Sequence, residues 1–312
     1  MPGPYAHLTM LYELMQQDRL ESVFSASSSF PAMLRSNFHY VMLGAVSPDY
    51  PNLAFGDEKA VLWADAMHFT RASKMITSGI ERIRATEEGI VRDKQLAWLM
   101  GYCAHVAADV TIHPVVMAKV GPYAENQRQH RICEMNQDSY IYRRMKLGEV
   151  WESDSFAQVV LQCSSMADKS CLDNDIVTLW KGMLEDVHPE MYFVNSPDIT
   201  KWHSQFVARV AATENTDVKL FPLAGLISQK MQLNYPSREK LDFQYLADQM
   251  VPLDPPHYLH YDQIFDSAVC NIKALWSLVE ESVCSGDLSN VCTFGDWNLD
   301  TGTDEHGRLV FW

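Results

Sequence analysis

The chain has 312 residues, enough for a sizeable core, and its 47% hydrophobic content is that of an ordinary globular protein rather than a disordered one. Twenty-five basic residues against 40 acidic ones leave a formal charge of −15, which argues against double-stranded nucleic acid as a partner because phosphate binding needs a basic surface. Seven cysteines without a CxxC pair read as reduced, buried structural thiols.

The N-terminal stretch MPGPYAHLTMLYELMQQ has neither a basic n-region nor a continuous apolar h-region, so it does not read as a secretory signal. The expectation is a cytoplasmic protein or one exported by another route. No run approaches 18 apolar residues, so no transmembrane segment is expected. Apolar residues at three- and four-residue spacing predict helices over 8–17, 31–43, 58–85 and 92–113. Further helical patterns cover about 126–146, 155–164, 173–187, 198–213, 219–232, 238–249 and 260–284. The breakers between them are SPDYPN near 48, HP at 113, GP at 121, SP at 196, NYPS at 234 and PLDPPH at 252. The final GRLVFW either pairs as a short hairpin or docks. Composition does not change across PLDPPH, so residues 1–312 read as a single all-α, multi-helix domain in which about 150–312 form a helical extension.

The chemistry concentrates in GYCAHVAADVTIHP, residues 101–114. His105, Asp109 and His113 are spaced four apart and share one helical stripe. The surrounding residues are Ala, Val, Met and Cys, and burying two imidazoles and a carboxylate there is costly without partners. Metal ions supply such partners. Eight residues of helix separate His105 from His113 by about 12 Å, too far for one zinc. The stripe therefore either serves more than one ion or leaves the helix near Pro114. Asp109 sits between the two and can bridge ions through its two oxygens. His130 and Glu134 form a second i,i+4 pair. Asp49 in SPDYP, His68 in WADAMHF and His7 are further candidates; alone, Asp49 reads as a turn residue, His68 as either core histidine or ligand, and a lone histidine such as His7 more often as structural than as a ligand.

The order His, PDY, His, HxxxD, HP, HxxxE over about residues 5–140 resembles the bacterial zinc-dependent phospholipases C, the alpha-toxin and phosphatidylcholine-preferring type. Fungal zinc-dependent single-strand nucleases share that helical fold more distantly. The resemblance implies that Asp49, His68, His105 and Asp109 ligate one zinc, and His113, His130 and Glu134 a second. It places His7 and Asp109 at a third. In that family the third zinc is completed by an N-terminal Trp, and this sequence has no Trp near its start. Two tight ions and a third, weaker one are therefore expected.

The implied activity is phosphodiester hydrolysis by metal-activated water, with Asp49 as the base that orients the water. The implied substrate is a glycerophospholipid, met by transient contact with a membrane surface. Another phosphodiesterase or nuclease activity on the same metals, or a non-catalytic zinc-stabilised interaction protein, are the alternatives. Tyr50, Phe55, Trp63, Asp65 and Tyr102 flank the ligands and are candidates for supporting contacts or plain core. His257 and His260 either line the cleft or serve structurally at the surface. The acidic stretch GDWNLDTGTDEHG reads as a solvated turn.

Overall fold

The computed structural model describes residues 3–152 and 154–312. Met1 and Pro2, where a terminal amine ligand would sit, lie outside the described residues. In chain order the helices are α1 (Pro4–Leu14), α2 (Gln17–Glu21), α3 (Phe30–Ser36), α4 (Phe38–Gly44), α5 (Glu58–Phe69), α6 (Ala72–Ala85), α7 (Ile90–Val120) and α8 (Tyr123–Arg144). Then come α9 (Ser155–Leu161), α10 (Asn174–Val187), α11 (Pro189–Val194), α12 (Ile199–Thr213), α13 (Pro222–Met231), α14 (Tyr261–Ser285) and α15 (Ser289–Cys292). Among the described residues the only sheet is antiparallel: β1 (Gln249–Val251) and β2 (His257–Leu259), with Met250 opposite Tyr258. The expected all-α bundle is what the chain forms.

The bundle is built around α7. Its apolar residues point in every direction, so no face suits water, and Leu96 to Val116 is buried throughout. Helices α4, α14, α6, α8 and α10 surround it. The crossing with α4 is very close. A Cβ on Gly44 would run into the Trp98 carbonyl, and one on Gly101 into the Val41 carbonyl. Glycine at both positions lets the two backbones touch. That crossing carries the turn after α4, and Asp49 with it, over His105.

α7 does not stop at Pro114; the helix continues to Val120. The histidine stripe therefore stays on the helix, which removes the reading in which it leaves the helix near Pro114. Proline lacks an N–H, so the Val110 carbonyl loses its helical partner. Gly302, with φ +67, lies directly against that carbonyl and the Pro114 ring. A side chain at 302 has no room.

Several expected elements differ. The pattern over 31–43 splits at Asn37, whose side chain donates to the Met33 carbonyl and ends α3. The pattern over 58–85 breaks at extended Thr70 and left-handed Arg71, where the Arg71 amide is held by the Asp296 carboxylate. The expected helix at 238–249 is absent. Two short 3-10 turns and β1 take its place; the buried Gln249 side chain donates to the Gln244 carbonyl, which a helix would use, and to the Ala247 carbonyl. The PLDPPH stretch is the connection between β1 and β2. The tail forms no strand and docks instead. Cys270, Cys284 and Cys292 are exposed rather than buried, because they fall on the outer sides of α14 and α15.

One connected core runs from Tyr5 to Leu299. No helix among the described residues is long and apolar enough to cross a membrane.

Candidate metal centre

Helix α1 delivers His7. Its first turn is fixed from α8: the Asp138 carboxylate accepts from the amides of Ala6 (2.7 Å) and Tyr5 (3.3 Å). These are N–H groups that a helix start leaves without partners. The Tyr5 hydroxyl donates to the Val150 carbonyl at 2.9 Å and accepts from the Phe221 amide at 2.8 Å. With α1 pinned, the His7 ring stacks on His105 at 4.2 Å between centroids. Its Nε2 lies 3.2 Å from Asp109 Oδ1, out of line for a hydrogen bond.

The other oxygen of Asp109 faces elsewhere. Oδ2 is 3.3 Å from His105 Nε2 and 3.7 Å from His68 Nε2. His68 Nε2 is in turn 3.7 Å from Asp49 Oδ1. Two groups thus have donor atoms close enough for one ion each: His7, His105 and Asp109, and Asp49, His68 and His105.

The tautomers support this role. His105 Nδ1 is 2.8 Å from the Ala45 carbonyl and His68 Nδ1 is 2.7 Å from the Ala64 carbonyl. A carbonyl only accepts, so both rings carry their proton on Nδ1. Their Nε2 atoms, 3.3 Å apart, then present lone pair to lone pair. A cation between them turns that repulsion into coordination. Donor atoms on a tetrahedral zinc at about 2.0–2.1 Å stand about 3.3–3.4 Å apart, so the cluster needs little adjustment. Because His105 has only Nε2 to offer, it can ligate in one of its two groups but not both.

The remaining buried atoms point the same way. Both nitrogens of His7 and His113, both oxygens of Asp109, Asp49 Oδ1 and His130 Nδ1 are buried without a hydrogen bond. So many polar atoms without partners in one place are costly unless a ligand satisfies them. Burial acts to raise the Asp109 carboxyl, yet the imidazoles of His105, His113 and His7 outweigh it and hold it well below the usual range. Burial lowers the His68 and His113 imidazoles, favouring the neutral form that a metal binds.

His113, His130 and Glu134 stand further along α7 and α8. His130 Nε2 donates to the Gly121 carbonyl at 2.6 Å, which leaves Nδ1 facing Glu134 Oε1 at 4.0 Å. The other oxygen of Glu134 accepts from the Arg131 guanidinium at 2.7 Å. These three residues do not gather as tightly as the two groups around His105.

The centre opens on a cleft of about 450 Å³ with a mixed polar and apolar lining. Its polar lining includes Asp49, His68, His113 and Arg131, and its apolar lining Phe55, Phe69, Leu223, Leu226, Ile227 and Met231. Of the proposed supporting residues, Phe55 and Asp65 reach the cleft. Tyr50 is buried against His203, Trp63 donates to the Asn195 carbonyl, and Tyr102 lies in the core. His257 is exposed on β2 and His260 caps α14, so both are surface or structural.

Arg131, Tyr123, Lys230 and Asp300 line the cleft without having been singled out in the sequence. Arg131 sits between His130 and Glu134, and a charged residue beside two ligand candidates was the available signal. Asp300 had none.

A helical bundle whose central helix carries two buried imidazoles and a carboxylate, with His113 at the wall of a cleft of mixed polar and apolar lining, has the donor set of a metal-binding scaffold. The family described as zinc dependent phospholipase C matches residues 6–190, more than half of the chain, and the protein belongs to that family. No curated protein and no solved structure matches the chain.

Proposed function

We propose that the protein is a phospholipase C that hydrolyses the phosphodiester of glycerophospholipids. The observation that carries this reading is the mixed lining of the cleft. Its imidazole, carboxylate and guanidinium groups suit a phosphate, and the aliphatic side chains that α13 contributes suit an acyl glycerol. Phe55 and Phe69 are largely exposed at the cleft and offer apolar contact to a lipid surface during transient docking. The charge of −15 opposes a nucleic acid substrate.

In this reading Asp49, His68, His105 and Asp109 Oδ2 hold one zinc, and His113, His130 and Glu134 a second. Asp109 Oδ1 and His7 form a third, weaker site. When bound, the ions supply Lewis acidity toward the phosphoryl oxygens and make the attacking water acidic enough to react near neutral pH. The chain's own residues do the rest. Asp49, at the cleft, orients the water and holds its proton. Arg131, buried and fixed by Glu134 and by the Tyr123 hydroxyl at 3.0 Å, faces the phosphate without having to be ordered on binding. The α13 wall excludes water from the ester.

The test is a panel of phospholipid vesicles and micelles against single-stranded DNA, scored for released phosphorylated head group or nucleotide. Head-group release that chelation abolishes and zinc restores is expected. Cleavage of DNA but not lipid overturns the lipid assignment, and no activity on either makes the centre structural. Chelator titration followed by metal analysis should show the ion at His7 leaving first.

A further inference from the structure

The segment 296–312 lies outside the residues matched to the family, yet it reaches the centre. The Leu299 amide donates to the His68 carbonyl at 2.7 Å, fastening the tail to a residue of the Asp49–His68–His105 group. The Trp312 indole donates to the Thr111 carbonyl on α7 at 2.8 Å. Gly302 rests on the Val110 carbonyl that Pro114 leaves open. Within the loop, the Asn298 side chain accepts from the amides of Asp300 (2.9 Å) and Thr301 (3.1 Å), and the Thr301 and Thr303 hydroxyls bond at 2.7 Å. These contacts fix one side chain, Asp300, in the cleft.

Asp300 Oδ1 stands 3.9 Å from His113 Nδ1. The His113 side chain is only 3% exposed and neither ring nitrogen makes a well-aligned hydrogen bond. Asp300 also bears electrostatically on His130. A carboxylate thus stands beside a buried imidazole that has only the Leu299 backbone as a hydrogen-bonding group acting on it, next to the second imidazole of the same proposed ion. Two donors on one tetrahedral zinc stand about 3.3–3.4 Å apart, so a closure of about half an ångström brings Oδ1 into range.

We propose that Asp300 is a further protein ligand of the ion at His113, His130 and Glu134, so that the C-terminal segment completes a site built from α7 and α8. This rests on the metal assignment above. It also explains why three residues from α7 and α8 gather loosely there: the fourth donor comes from the tail.

The test compares the full-length wild type with Asp300→Asn, which keeps the size of the side chain and removes its charge. Asn298→Ala, which frees the loop without touching the carboxylate, is the second variant. Zinc per chain is measured across a chelator titration, and the visible spectrum is recorded after cobalt(II) substitution. In Asp300→Asn one ion should be released at ~10- to 100-fold lower chelator, with an altered cobalt spectrum, while the other ions leave as in the wild type. Asn298→Ala should shift the same ion by less. Unchanged release and spectrum in both variants overturns the proposal. A wild type that binds no zinc at all defeats the metal centre itself, which is a separate result.

Discussion

At the scale of single residues, Asp109 is the one side chain with an oxygen on each side of the centre, toward His7 and toward His105 and His68. Asp109→Asn is expected to cut activity by more than ~100-fold, exceeding the loss from His7→Ala or Glu134→Gln, and to lower zinc content at two positions. A larger loss from either comparison variant, in parallel assays, would show that Asp109 does not bridge. His203 makes a different prediction. It is fully buried, contacts the Tyr50 hydroxyl (2.9 Å) and the Ser164 hydroxyl (2.8 Å), and burial lowers its imidazole to about 4. The folded state therefore resists protonation while the unfolded chain protonates near pH 6.5. Its contribution is complete above about pH 6.5, declines as pH falls toward 4, and changes no further below that. The total is about 3 kcal/mol. Urea denaturation from pH 7 to 4 should show the wild type losing more stability across that window than His203→Gln; parallel curves would refute it. Tyr50 follows Asp49 directly, so protonation there also disturbs the turn that holds a proposed ligand.

At the scale of elements, the α4–α7 crossing decides whether Asp49 and His105 meet. Gly101→Ala must push the backbones apart, and overpacking of this kind costs about 1–3 kcal/mol. Denaturation should show that loss, together with weaker zinc retention because Asp49 moves with α4. Full retention of zinc in a destabilised Gly101→Ala would show that the crossing is not what sets the site.

How much was legible in the sequence follows from the same geometry. His105, Asp109 and His113 were readable because a helix repeats its face every few residues, and chemistry spaced that way shows in a linear string. Asp300 was not readable, since its place depends on a loop docked by Leu299, Gly302 and Trp312 on elements distant in sequence. Arg131 was passed over because a charged residue on a helix usually faces water, and only Glu134 and Tyr123 together reveal that this one does not. The helix expected at 238–249 had the right apolar spacing, but a side chain, Gln249, took the Gln244 carbonyl. Local pattern loses wherever a long-range partner or a competing side chain supplies the hydrogen bonds.

At the scale of the whole molecule, the proposed single domain has a direct consequence. The core is continuous from Tyr5 to Leu299, α14 packs along α7, and α13 walls the cleft. Residues 1–190, though they contain every ligand proposed from the sequence, leave α7 exposed on the side α14 covers. That fragment is expected not to fold cooperatively, whereas the full chain should unfold in one transition whose midpoint drops on chelation. A well-folded 1–190 fragment by circular dichroism, or two separate transitions in the full chain, would divide the domain.

The ties that hold α1 in place join positions far apart: Ala6 to Asp138 across 132 residues, Tyr5 to Val150 across 145. Trp312 reaches Thr111 across 201. Closing loops of that length comes late in folding, after local helices have formed. The two proposed donors that these ties place, His7 from α1 and Asp300 from the tail, therefore join the centre late. Loading zinc adds to the barrier for leaving the native state and does little to the rate of reaching it. In the proposed centre such ions act as a latch on an already folded bundle, and what they add is persistence.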